Sequence, residues 1–342
     1  MKNKLIILFC ICVGLTSVHA QDVHFSQMGY SPLNLNPALA GANNGLQALV
    51  NYRSQWNSVA TPFSTFGFSV DSRLTGGKKG FLAMGLNFFN DQAGQARMST
   101  TNMNLNIAYH VYLNEEHKLG GGMYVGFGQR SLKDVGTWSA QYDGSGFNPG
   151  FSNQENIDNM QFAHFDLGGG LLYSYEEDGR SRSPLRNRIN AGVALFHLNR
   201  PNYSFISTSD EKLYMRWSVF ASALLKFGDD SNFGVEPAVY YNRQGTTQEI
   251  LFGTYARYVI SSGSRYNSDG DVIASLGAFY RNKDAFIAKA MFTWSGLSVG
   301  FAYDINTSNL SAMSKSRGGF ELFLQWVMDS PFGNNKASSR WR

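Results

Sequence analysis

The chain has 342 residues, among them 36 glycines, 26 phenylalanines and 17 tyrosines, while charged residues make up only 16%. That balance excludes a disordered chain, which would be charged and poor in aromatics, and a net charge of +4 singles out no nucleic acid or acidic partner. Past residue 20 no run approaches ~18 consecutive apolar residues, which excludes a bundle of membrane-spanning helices but not a barrel, where only alternate residues meet lipid.

Residues 1–20 come first. A basic start at Lys2 and Lys4, an apolar core from Leu5 to Leu15 and the small-residue site Val18-His19-Ala20 read as a secretory signal peptide, cut between Ala20 and Gln21. Its core is too short to span as a helix. A lipoprotein signal needs a small residue before the acylated cysteine, and Phe9 and Ile11 are bulky. Both cysteines, Cys10 and Cys12, leave with the signal, so the mature chain has no disulfide framework and no thiol chemistry. Losing Lys2 and Lys4 lowers the formal charge from +4 to +2.

Residues 21–45 lack strand periodicity. Pro32 and Pro37 each push the preceding residue toward extended backbone, so the expectation is an extended, non-helical segment over 30–41. Phe25, Tyr30, Leu33 and Leu35 make it too apolar to wave in water. It is expected to be periplasmic, packed in the barrel's periplasmic mouth or against a partner, and its deletion to abolish assembly or partner retention.

From residue 46 the pattern changes to a period of two. In 102–113, Met103, Leu105, Ile107, Tyr109, Val111 and Leu113 share one face, while Asn102, Asn104, Asn106, Ala108, His110 and Tyr112 share the other. Such alternation marks a strand with one apolar face, and its length exceeds the five or six residues usual in soluble sheets. Phe66, Phe68 and Val70 repeat it earlier; Phe165, Leu167, Leu171 and Tyr173, then Leu297, Val299, Phe301 and Tyr303, repeat it later. Fourteen strands are predicted near 46–54, 64–73, 80–89, 99–113, 118–130, 161–175, 188–197, 215–227, 233–241, 249–258, 272–280, 285–292, 297–304 and 319–326. An even count returns both ends of the barrel chain to the periplasm, and the outward connections come out longer than the inward ones, as in bacterial outer-membrane barrels. The fold class is therefore an all-β, antiparallel transmembrane barrel over 46–326, with a weakly basic periplasmic tail at 327–342.

Fourteen strands enclose more space than their own side chains fill, so water, inward loops or a terminal segment must occupy the lumen. Pro237, inside the ninth strand, removes a ladder donor and predicts a bulge or bend. Residues 131–160, rich in Gly, Asn and Ser, are a candidate plug or contact loop. Inward Arg216, Lys226, Glu236, Glu249, Arg257, Arg281, Lys289 and Glu321 mix both signs, which favours pairing across the lumen over a selective pore. Trp56, Trp138, Trp217, Trp294 and Trp326 suit interfacial belts.

The two ends of the mature chain carry a more specific signal. Asp22, Phe25-Ser26-Gln27, Pro32-Leu33, Asn36-Pro37-Ala38, Gly41, Tyr52-Arg53 and Gln55-Trp56 resemble the opening of the PorP/SprF family of type IX secretion outer-membrane proteins. Tyr303-Asp304-Ile305-Asn306, Ser308, Leu310 and Gly318-Gly319-Phe320-Glu321 resemble its closing signature. The middle strands match in character only. The resemblance implies a barrel in type IX secretion and gliding motility. Its partners would be secretion components, periplasmic ring proteins among them, or the C-terminal domain of a secreted adhesin-like cargo held at the surface. Phe25, Ser26, Gln27, Pro32, Asn36, Pro37, Arg53 and Trp56 are the partner-binding candidates it implies.

Catalytic and cofactor motifs are weak by comparison. Gly120-Gly121-Gly122 with Gly126 and Gly128 has no Gly-Lys-Ser ending and no following helix, so these glycines read as a crowded lumen face. Asn267, Asp269, Gly270 and Asp271 lack the distal glutamate of a calcium loop. His164 and Asp166 offer two metal ligands without a third histidine at ligand spacing. No Gly-x-Ser-x-Gly elbow occurs, which counts against a barrel lipase or protease, and no cofactor or metal is expected. Glu176-Glu177-Asp178 and Asp229-Asp230 read as solvated turns. The expected function is a non-enzymatic cargo partner and surface attachment point; a general porin or solute channel is the alternative.

Overall fold

The computed structural model describes residues 22–55, 62–94, 97–132, 141–146, 148, 150–151, 160–177, 184–206, 210–228, 230–263, 270–308, 314–328 and 331–332. The signal peptide, Trp56, Trp138, Asn267, Asp269, Asp178, Asp229 and most of 131–160 and of the tail lie outside the described residues.

Alternating sequence becomes alternating exposure. The strands are β1 (Leu46–Gln55), β2 (Phe63–Gly76), β3 (Gly80–Ala93), β4 (Met98–Tyr112), β5 (His117–Ser131), β6 (Gln161–Glu176) and β7 (Arg188–Phe196). They continue as β8 (Arg216–Lys226), β9 (Phe233–Gln244), β10 (Thr247–Ser261), β11 (Val272–Arg281), β12 (Ala285–Trp294), β13 (Leu297–Asn306) and β14 (Arg317–Met328). Met103, Ile107 and Tyr109 of β4 are 41–53% exposed on the outer face, whereas Asn106, Ala108 and His110 between them are 1% exposed. Trp217, Trp294 and Trp326 also face outward.

Each strand pairs antiparallel with its neighbour in sequence, and β1 pairs with β14 from Leu46↔Met328 to Gln55↔Gly319, closing the barrel. Closure leaves no continuous open edge to face hydrocarbon, where each unpaired backbone group costs several kcal/mol. Register shifts occur at Arg73/Thr75, Val259/Ser261 and Asp304/Ile305. At Pro237, where a bulge or bend is expected, no register shift occurs. There the β8–β9 ladder lapses between Ser222↔Ala238 and Leu225↔Val235 while its register is kept. β14 runs to Met328, so the tail begins two residues later than expected.

The barrel has a near end, where β1 begins and β14 ends, and a far end. Residues 22–45 enter from β1 at the near end and run through the lumen. The expectation of an extended segment without helix is corrected: Pro32–Leu35 forms one α-helical turn, flanked by 3-10 turns at Met28–Tyr30 and Pro37–Leu39. Proline restricts the residue before it but suits the first helical position, where its missing N–H has no partner to lose. Accordingly Asn36 is extended (φ −161°, ψ 125°) and Pro37 begins a turn.

The core lies inside the lumen. Met28, Leu35, Ala38, Leu39 and Ala42 pack against inward Leu172, Phe220, Tyr240, Leu251, Phe279 and Ile287. Tyr30 stacks on Phe323 at 4.0 Å and meets Tyr255 edge-on.

Candidate functional site

Three clusters fix the segment at successive depths. At the far end Asp22 is held on several sides. Its backbone N–H donates to Gln244 Oε1 (2.8 Å), and its carboxylate meets His197 Nε2 (2.6 Å) and Arg216 Nε (3.2 Å). His197 Nδ1 contacts Asp166 (2.9 Å), which also accepts from the Tyr124 hydroxyl (2.8 Å). Burial opposes charge on His197, but the Asp22 and Asp166 carboxylates outweigh it and raise the imidazole to about 9. Burial likewise raises Asp22, and His197 with Arg216 overcomes it, leaving that carboxyl well below its usual range. His197 has φ 58°, a strained left-handed geometry that the two carboxylates hold in place.

The second cluster grips Ser26. Its backbone N–H and that of Gln27 donate to the two oxygens of Glu321 (2.6 and 3.0 Å), and its carbonyl accepts from Lys289 Nζ (2.7 Å). The Ser26 hydroxyl donates to Asp304 (2.7 Å) and accepts from Arg281 Nη2 (2.7 Å). Arg53 bridges Asp304 (3.2 Å) and the His24 carbonyl (2.6 Å), while Arg281 also pairs Glu249 (2.9 Å). Desolvating so many charges is tolerable only because each is paired and hydrogen-bonded. A serine whose proton faces a carboxylate already neutralised by two guanidiniums is not activated as a nucleophile.

The third cluster seats the middle and near parts. Asn36 Nδ2 donates to the Leu171 and Val193 carbonyls of β6 and β7 (3.0 and 3.1 Å), and its Oδ1 accepts from Ala38 N–H (2.8 Å). The wall is cut away to admit this backbone. A Cβ on Gly122 would lie 2.5 Å from Ala38 N, and one on Gly170 would collide with Asn36. Nearer the near end, the Gly41 N–H donates to Asp71 (2.7 Å), its carbonyl accepts from Arg73 Nε (2.6 Å), and the Ala42 carbonyl accepts from Lys118 Nζ (3.0 Å).

Seven of the eight candidate residues are thus brought to this interface. Ser26, Gln27, Asn36 and Arg53 make its polar contacts, Phe25 packs against Gly67, and Pro32 and Pro37 open buried turns. Six of them lie on the enclosed segment and Arg53 on the wall around it. The Gln27 side-chain amide is buried with no hydrogen-bond partner among the described residues. His164 and Asp166 both point inward, but His164 lies edge-on to Tyr203 and Asp166 serves His197. Among the described residues no group of three metal-ligating side chains occurs.

The mixed lumen charges pair: Arg257 with Glu236, Arg281 with Glu249, and Lys226 with Glu177 (3.0 Å). Glu176 and Glu177 are therefore not solvated turn residues, since Glu176 lies 3.8 Å from Lys118. Sequence reasoning missed His197, Gln244 and Asp71, whose contacts with the segment have no local motif.

The family model described as type IX secretion system membrane protein PorP/SprF matches residues 17–326. No curated protein matches the chain. Among solved structures, the Ralstonia pickettii toluene transporter TbuX is 11% identical, covering 87% of this chain and 94% of its own, with TM-score 0.47. A Pseudomonas aeruginosa FadL homologue is 9% identical over 83% and 90%, with TM-score 0.46. The CymD monoaromatic hydrocarbon channel is 13% identical over 90% and 95%, with TM-score 0.45.

Proposed function

The chain belongs to the PorP/SprF family of type IX secretion system membrane proteins, and on that premise we propose that this outer-membrane barrel acts without catalysis as cargo partner and surface attachment point. The cargo is an exported, adhesin-like protein that docks through its C-terminal domain. The far end faces outward in this reading, because the two longest connections, 132–160 and 197–215, leave from it. The near end faces the periplasm, where ring components of the machine can reach the turns and tail.

One observation carries the reading. The chain's own N-terminal segment occupies the lumen and is bonded to the wall along its length. A barrel filled in this way is suited to docking on its rim and loops rather than to conducting solutes. The seven described partner-binding candidates then act indirectly, by holding the segment and with it the shape of the rim.

Gentle detergent purification from native membranes, followed by mass spectrometry, tests this. An exported protein bearing a C-terminal secretion domain, or a component of the secretion machine, is expected to stay bound. Recovery of the barrel alone, in a form that conducts steadily in planar bilayers, would instead identify a channel.

A further inference from the structure

β6 and β7 do not match in length. β6 has 16 residues and β7 has 9, and they pair only from Gly169↔Leu195 to Glu176↔Arg188. On its other side β6 pairs with β5 out to Gln161↔Ser131. Residues 161–168, toward the far end, therefore have a strand on one side only among the described residues.

The direction of the unpaired groups can be read from neighbouring bonds. Leu132 N–H donates to the Met160 carbonyl (2.8 Å), so even-numbered residues turn their backbone toward β5. Odd-numbered residues turn theirs to the open side, where a corner of the next loop caps two of them. Leu198 N–H donates to the Leu167 carbonyl (2.9 Å), Asn199 Nδ2 to the Phe165 carbonyl (2.6 Å), and Leu167 N–H to Asn199 Oδ1 (3.2 Å). A side-chain amide stands where a strand would continue. Beyond it Gln161 and Ala163 are exposed, and among the described residues no hydrogen bond joins their backbone to another element on that side.

We propose that the β6 edge at Gln161–Leu167 is a docking site for an extended segment of a partner polypeptide, which adds there as a strand. A row of alternating N–H and C=O groups at strand spacing is matched by another peptide backbone, and the exposed Phe165 ring beside it supplies an apolar contact. A second copy of this chain does not fit. Strands of such barrels tilt by roughly 35–45°, so the facing walls of two barrels in one membrane cross at twice that angle and their edges cannot lie side by side. The site is also connected to the lumen. Leu198 and Asn199 directly follow His197, the residue that holds Asp22, so a strand displacing this corner would disturb the far-end anchor. The inference rests on the outward orientation given above and deepens the cargo reading by locating the contact.

The test places a photo-reactive benzoylphenylalanine at Gln161 of the full-length protein in its own membranes. The same chain carries either Ala163→Gly, which keeps the edge N–H, or Ala163→Pro, which removes it without touching the β5 ladder. Cross-linked polypeptide is expected with glycine and about tenfold less with proline, the effect of one lost hydrogen bond. Asn199→Ala, which uncaps the Phe165 carbonyl, should raise the yield. A product with lipopolysaccharide only, no product, or equal yields across these variants overturns the proposal. Continued co-purification of an exported protein without the Gln161 product removes this site and leaves the cargo role standing.

Discussion

Gly122 has no side chain because the backbone of residues 37 and 38 occupies the space where one would stand. Gly122→Leu is therefore expected to leave the barrel closed and unseat the segment, at a cost in the ~1–3 kcal/mol range of overpacking. Chymotrypsin cleavage after Phe25 or Tyr30, expected to be absent in the wild type, would report it; a segment still protected in the variant would contradict the packing. His197 gives a pH dependence at the same scale. Its imidazole is raised from an ordinary 6.5 to about 9, so its contribution is complete below pH 6.5 and is lost as pH rises through about 9. Cleavage near Phe25 should accordingly increase above pH 9 in the wild type and be insensitive to that step in His197→Gln. Neither contact was legible in the sequence. Of the β5 glycines read as a lumen face, Gly120, Gly122, Gly126 and Gly128 do face inward while Gly121 faces outward. Nothing local says that residues 37 and 38 are what crowds Gly122, and His197 meets Asp22 only through closure of the sheet.

At the scale of elements, the strands were legible nearly to their ends because a period of two is imposed locally by lipid on one side. β4, expected at 99–113, spans Met98–Tyr112. The hairpins were less legible: 242–248 reads as a connection, yet β9 and β10 extend through it and leave only Gly245 and Thr246 between them. Antiparallel pairing extends a strand wherever the partner does, whatever the local polarity. The N-terminal segment was read as extended and packed in the periplasmic mouth or against a partner. It instead forms short turns and runs through the lumen as far as Gln244 and His197 at the other end. Two prolines spaced five apart admit both an extended run and two short turns. The surrounding wall, with Leu33 against Gly85 and Asn36 against Gly170, selects the turns.

For the whole molecule, the fold inverts the usual arrangement of a soluble protein: apolar side chains outside, and inside a mixed core built by the chain's own first residues. An unfilled barrel of this width would expose Arg53, Lys289, Asp304 and Glu321 to water; with the segment in place these groups are buried and engaged. The same segment joins the two ends of the chain, where the resemblance to the family was read. Ser26 and Gln27 from the start meet Asp304 and Glu321 from the finish, so the two motifs are the two halves of one clamp. The barrel is thereby a scaffold filled by its own first residues, as the proposed docking role requires. Conductance across planar bilayers, compared between the mature protein and a variant lacking residues 22–41, tests this most directly. The intact protein is expected to stay electrically silent and the deletion variant to conduct steadily; an intact protein that conducts as freely as the deletion would contradict the account.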